Sequence, residues 1–229
     1  MTGIAVFQPP AFIAFTGVDR IELVDELIAL SSRYPIEWGI LVDAGQKGNP
    51  LFPDAAVRAR LMSSAKLRWA AHICGKQAQL IANDPGAASI DLGGDLAGDL
   101  AGFQRVQINH SFAGSSETQI LNSASFGRRL GLRTVLQCSS DFPPDQSVDW
   151  LFDTSFGKGA SPRTFPSLPV RGPFCGFSGG LSPENVREVL ERIAARARAA
   201  YWIDMESGVR SNGWLDVARC KAVCRAVYG

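Results

Sequence analysis

Phe174-Cys-Gly-Phe-Ser-Gly-Gly-Leu-Ser-Pro-Glu-Asn-Val186, followed by Tyr201-Trp-Ile-Asp-Met-Glu-Ser-Gly-Val-Arg210, decides the fold. Each stretch reads as a short apolar strand that runs into a turn of small residues and then into a helix start. Ser182 is placed to act as an N-cap and Pro183 to occupy the first helical position. Glycines let backbone N–H groups approach an anion closely, and a helix N-terminus adds partial positive charge. The two turns lie about 30 residues apart, the spacing of one strand–helix unit. Together they predict one phosphate group held between the last two loops of a (β/α)8 barrel. Its backbone donors would come from Gly179, Gly180, Ser207 and Gly208, with Gly159 added from an upstream glycine-rich loop.

Working outward, short apolar runs alternate with helical patterns along the whole chain, which favours a parallel sheet. The runs predict strands at 11–16, 37–43, 68–74, 104–109, 133–138, 148–153, 172–177 and 201–205, with helices at 19–32, 53–64, 76–83, 115–130, 183–199 and 214–227. Asp19 and Ser115 stand where helix caps are needed. The stretch 84–102, with its Gly-Gly-Asp-Leu-Ala-Gly-Asp-Leu-Ala-Gly tandem, reads as a loop and a short helix within a single domain spanning 1–229.

Composition agrees with that plan. The 229 residues are 46% apolar and 20% charged, and 23 basic against 22 acidic side chains leave a net charge of +1. A chain of this size buries a large core, and nothing in its charge calls for nucleic acid or an anionic membrane. The Arg-rich run from Arg187 to Arg198 has Glu188 and Glu191 interleaved and reads as a solvated helix face. Five cysteines, at 74, 138, 175, 220 and 224, have no metal-ligand spacing with the two histidines. The expectation is a cytoplasmic protein with reduced thiols, no metal and no cofactor, acting on a small phosphorylated molecule. No apolar run reaches the ~20 residues that span a bilayer, and no basic segment precedes the N-terminal apolar stretch.

In a barrel the last inward side chain of each strand faces the mouth. Alternation brings Thr16, His72, Cys74, Asn109, Asp153 and Asp204 there. Asp153 ends an apolar strand, where an acid is costly to bury unless it is paired or catalytic. The alternative is a structural carboxylate that caps the backbone of the next loop. His72 and Cys74 are two apart on one strand and so share a face; a histidine is the commonest general base, and an imidazolium beside a thiol lowers its pKa. The alternatives are a core histidine bonded to a backbone carbonyl and a small buried hydrophobe.

The segment Phe177-Ser-Gly-Gly-Leu-Ser-Pro-Glu-Asn-Val186 resembles the A-G-G-L-T-P-E-N-V segment of phosphoribosylanthranilate isomerases, and Ile203-Asp-Met-Glu-Ser-Gly-Val-Arg210 is similar to their V-D-V-S-S-G-V-E. Val148-Asp-Trp-Leu-Phe-Asp-Thr154 with Gly157-Lys-Gly159 resembles the strand and glycine-rich loop that carry the family's acidic residue. Val106-Gln-Ile-Asn-His110 and Ile13-Ala-Phe-Thr-Gly-Val18 are similar, more loosely, to its fourth and first strands, V-Q-L-H-G and K-I-C-G. The resemblance is close over about the last 80 residues. It implies a TIM barrel that opens a phosphorylated aminosugar and isomerises it by an Amadori rearrangement in tryptophan biosynthesis. By the same resemblance Asp153 is the general acid that protonates the ring oxygen.

Five positions depart from the family pattern. Thr16 stands where the general-base cysteine does, and Ala14 replaces its lysine. Asn109 replaces the histidine of the fourth strand. Lys47 is the nearest counterpart of the arginine in the S-P-R loop, and Arg210 replaces the glutamate after S-G-V. A threonine hydroxyl is not a useful base unless a stronger one stands behind it, so His72 or Cys74 is the expected replacement. Arg210 and Lys47 are the candidate cations for the phosphate and the ring substituent. Three readings stand: a divergent isomerase, a different phosphosugar enzyme on the same barrel, and a catalytically inactive binding protein.

Overall fold

A computed structural model describes residues 8–86, 100–155, 159, 161–168, 171–194 and 199–229. In chain order it forms β1 (Ile13–Thr16), α1 (Val24–Ser31), β2 (Ile36–Val42), α2 (Ala55–Ser64), β3 (Trp69–Ile73), α3 (Gly75–Asn83), β4 (Arg105–Ile108), α4 (Glu117–Arg129), β5 (Arg133–Cys138), β6 (Asp149–Phe152), β7 (Cys175–Phe177), α5 (Val186–Ala194), β8 (Tyr201–Met205), β9 (Arg210–Ser211), β10 (Trp214–Leu215) and α6 (Val217–Tyr228). Strands β1 to β8 close into one barrel in which every neighbouring pair is parallel, β8 returning to β1. This is the (β/α)8 TIM barrel expected from the alternation of strand and helix patterns. Among the described residues six α-helices accompany it, and none is long and apolar enough to cross a membrane.

Period-two alternation divides the strand side chains into two cores. Outward residues such as Phe15, Trp38, Ile40, Trp69, Trp150, Phe177 and Tyr201 pack under the helices in one large apolar cluster. Inside the barrel the apolar content is small: Phe12, Ala14, Val135, Leu151 and Trp202, with Phe174 against them. Gly176 makes room for Trp202, because a Cβ there would overlap the indole ring.

The rest of the barrel floor is ionic. Glu37 Oε1 accepts from Arg105 Nη1 at 2.9 Å and Oε2 from Arg68 Nε at 2.9 Å, while Asp149 pairs with Arg133 at 2.7 Å and with Arg105 at 3.6 Å. The Arg105 guanidinium lies 4.1 Å from the centre of the Trp202 ring, and that of Arg68 3.8 Å from Phe12. Charges this deep are tolerated because each carboxylate meets two guanidinium groups and the aromatic faces attract the cations.

Helix starts depart from expectation in three places. Ser116, and not Ser115, caps α4; its hydroxyl accepts from Gln119 N–H and the Gln119 side chain answers to the Ser116 backbone, a complete capping box. Asp19 caps no helix. Its carboxylate is taken by Arg20, by Arg210 and by the backbone N–H of Leu215. Ser182 does cap, its hydroxyl accepting from Glu184 N–H at 3.3 Å and its carbonyl from Asn185 and Val186 N–H, but Pro183 sits in the turn before α5, whose regular helix begins only at Val186. Most of the tandem repeat within 84–102, together with Gly157, Lys158 and residues 195–198 of the expected helix, lies outside the described residues.

Candidate active site

The carboxyl ends of the eight strands surround a cavity of about 350 Å³. Thr16, His72, Cys74, Asn109, Asp153, Asp204, Gly159, Gly179, Gly180 and Ser207 all line it, so the side chains that alternation assigns to the mouth meet in one cavity. Among its polar residues Gln107, Gln137, Ser155, Ser178 and Glu206 escaped the sequence reading. Gln107 and Gln137 occupy inward positions on β4 and β5, and Glu206 follows β8. Counting by twos from Val135 finds Gln137, but a glutamine carries no pattern that marks it as functional.

The loops after β6, β7 and β8 interlock above the mouth. Gly180 has φ +64°, and a Cβ on it would lie 2.5 Å from the backbone nitrogen of Ser161. Gly159 also has φ +64° and abuts the Ser207 hydroxyl, while Gly208 lies so close to the Leu181 carbonyl that a Cβ would overlap it. Only residues without side chains let three loops meet this closely. Gly159, Gly179, Gly180 and Ser207 line this side of the cavity, a small-residue wall of the kind that suits an anion, whereas Gly208 is packed against Leu181 and is not part of the lining.

Beneath this wall, Thr16, Asp204 and His72 form a connected set. The Thr16 hydroxyl donates to Asp204 Oδ1 at 2.7 Å, and the Ser178 hydroxyl faces Oδ2 at 3.4 Å. His72 Nε2 is 3.4 Å from the same threonine oxygen. Gly39, between them on β2, permits this approach, since a Cβ would lie 2.6 Å from Thr16 Oγ1 and 3.0 Å from His72 Nε2. Burial raises the Asp204 pKa to about 7; the Thr16 hydrogen bond opposes the rise, while Glu206, Asp153 and Glu37 add to it.

Burial drives the His72 pKa down to about 3, helped by the charge of Arg105, so this imidazole is neutral near pH 7. Cys74, pushed up to about 11 mainly by burial, is a thiol there; the hydrogen bond from Asn109 Nδ2 at 3.3 Å is too weak to reverse this. The expected imidazolium–thiolate pair therefore does not form. Asp153 Oδ1 accepts from Ser155 N–H at 2.7 Å, so the carboxylate caps its own loop while still lining the mouth. Gln137 Oε1 is buried without a hydrogen-bond partner among the described residues.

Two expected cations lie elsewhere. Arg210 spends its guanidinium on Asp19 Oδ2 at 2.8 Å, the Gly17 carbonyl at 2.9 Å and the Gly213 carbonyl at 2.6 Å, which ties the first loop to the β9–β10 hairpin. Lys47 is exposed and lines a separate cleft of about 870 Å³ together with Arg20, Phe52 and Trp214. A guanidinium with that many internal acceptors is not free to meet a phosphate.

Among solved structures the chain is similar to phosphoribosyl anthranilate isomerase from Thermotoga maritima, with a TM-score of 0.63 and 18% identity over 94% of this chain and 97% of that one. It is similar to N-(5'-phosphoribosyl)anthranilate isomerase from Pyrococcus furiosus, with a TM-score of 0.59 and 14% identity over 94% and 98%. A mutant tryptophan synthase alpha-subunit from Pyrococcus furiosus follows at a TM-score of 0.53 and 13% identity over 95% and 97%. The likeness is one of fold. No family model and no curated protein matches the sequence.

Proposed function

We propose that this barrel binds a phosphorylated sugar and isomerises it by an Amadori-type aldose–ketose rearrangement. The observation that carries the reading is the glycine-lined wall of Gly159, Gly179 and Gly180 in the same cavity as two buried carboxyl groups, Asp153 and Asp204. The wall suits the phosphate, and the unpaired Gln137 oxygen suits a sugar hydroxyl. Both similar isomerases bear names that specify a phosphoribosyl compound, in keeping with this assignment.

The chemistry needs only proton movements. Asp153 gives a proton to the ring oxygen, the C1–O bond breaks, and the amine lone pair forms a protonated C1=N bond. Removal of the C2 proton then sends the C–H electron pair into C1=C2 and the imine pair back to nitrogen. Protonation at C1 and loss of the C2 hydroxyl proton give the ketone. C2 is oxidised and C1 reduced, with no outside oxidant. A phosphosugar-binding barrel without this turnover is the second reading, favoured by Thr16 in place of the family's thiol and by a mouth whose histidine and cysteine are both poor bases.

The test is a panel of N-substituted phosphoribosylamines, including phosphoribosylanthranilate, assayed for ketose formation, with thermal shift against ribose 5-phosphate and inorganic phosphate. Conversion of any member supports the isomerase. Stabilisation by ribose 5-phosphate without conversion supports the second reading, and neither effect overturns both.

A further inference from the structure

The proposed reaction requires a base for the C2 proton, and the surroundings of Thr16 point to one. Thr16 ends β1 at the mouth, 2% exposed, and its hydroxyl hydrogen is directed at Asp204. With that hydrogen committed, the contact to His72 uses a threonine lone pair and calls for the neutral Nε2–H form of the ring. Asp204 is itself 7% exposed and lines the cavity, with one oxygen fixed by Thr16 and the other facing Ser178.

We propose that Asp204 is the proton acceptor of this mouth, that Thr16 is the positioning residue holding its carboxylate, and that neutral His72 brackets the threonine hydroxyl. The inference rests on the phosphosugar reading only for the identity of the carbon that loses its proton. In the step, an Asp204 oxygen forms an O–H bond with the C2 proton as C1=C2 forms. Asp204 then returns that proton to C1, while the C2 hydroxyl proton passes to the Asp153 carboxylate left by ring opening. Both groups end as they began.

The environment suits a base stronger than an ordinary carboxylate. Carboxylates press on Asp204 from several elements: Glu206 just after β8, Asp153 at the end of β6 and Glu37 on β2, opposed by Arg105 on β4 and by the Thr16 hydrogen bond. A carboxyl held about 7 is matched to proton abstraction near neutral pH, whereas neutral His72 and the Cys74 thiol are not.

Two measurements test this. In protein carrying ¹³C-labelled aspartate carboxyls, with the signal assigned by its loss in a folded Asp204→Asn variant, Asp204 is expected to titrate near pH 7. Thr16→Val, which removes the hydrogen bond to the charged form, should move that midpoint upward, and Thr16→Ser should restore it. A midpoint in the ordinary carboxylate range, or one indifferent to Thr16→Val, overturns the proposal. With any phosphoribosylamine converted in the panel above, kcat/KM should rise with pH through about 7, and Asp204→Asn should lose about 10³-fold in kcat with little change in KM. A limb that falls through pH 7 would make Asp204 the acid, and a variant with the wild-type rate would remove it from the chemistry; either overturns the assignment. If no panel member is converted, the isomerase reading fails while the titration still decides the carboxyl.

Discussion

Gly39→Ala introduces a methyl group 2.6 Å from Thr16 Oγ1 and 3.0 Å from His72 Nε2, so the threonine hydroxyl must move and its bond to Asp204 must lengthen or break. The expected cost is about 1–3 kcal/mol, measured by denaturant unfolding, from overpacking a filled site. Asp204 itself links stability to pH. Its folded pKa lies above the carboxylate range, so the stability it contributes is present at acid pH, below the unfolded value, and is lost as pH rises through about 7. Asp204→Asn, which needs no charge buried, should therefore raise the melting temperature relative to wild type at pH 8. The gain is on the order of 3 kcal/mol and should shrink at pH 5. Asp153→Asn should abolish conversion while leaving ribose 5-phosphate binding intact, seen as lost kcat with retained thermal shift. Thr16, Asp153 and Asp204 were all legible as mouth residues, because alternation within a strand is a local rule. The bond between Thr16 and Asp204 spans 188 residues of sequence, and no local rule encodes it.

At the scale of elements, all eight strands could be read in the sequence to within a few residues at each end, since each is a brief apolar run ended by small or polar residues. Helix starts were harder. Ser115 and Ser116 are chemically alike, and the choice between them turned on which one has Gln119 three residues on. Ser116→Ala should destabilise the protein by about 1 kcal/mol, while the same change at Ser115 should spare α4. Asp19 and Arg210 misled for a different reason: each has the right chemistry for a cap or a phosphate contact, but the two meet at 2.8 Å across the barrel top. A partner of opposite charge far along the chain claims a residue that its neighbours alone leave available.

Over the whole molecule, the charges at the strand starts form the feature that sequence reading missed altogether. Glu37, Arg105, Arg133 and Asp149 sit inside or at the edge of runs read simply as apolar strands, and together they seal the barrel floor. Removing Glu37 leaves Arg105 buried with only the longer contact to Asp149, so Glu37→Ala should cost about 3–5 kcal/mol in urea unfolding. One closed sheet has no line along which its contacts lapse, so thermal unfolding is expected as a single transition; two separate transitions would divide the chain. The sealed floor also governs molecular traffic. With Trp202 filling the axis beside Gly176 and Arg105 stacked upon it, the described residues block the floor, and the cavity lies at the strand ends. Under the proposed isomerisation, ketose formed at the strand ends would leave by the way its precursor came in, and the two would contend for the same vacant protein. Accumulated ketose should slow its own formation as a competitive inhibitor, raising the apparent KM and leaving the limiting rate unchanged.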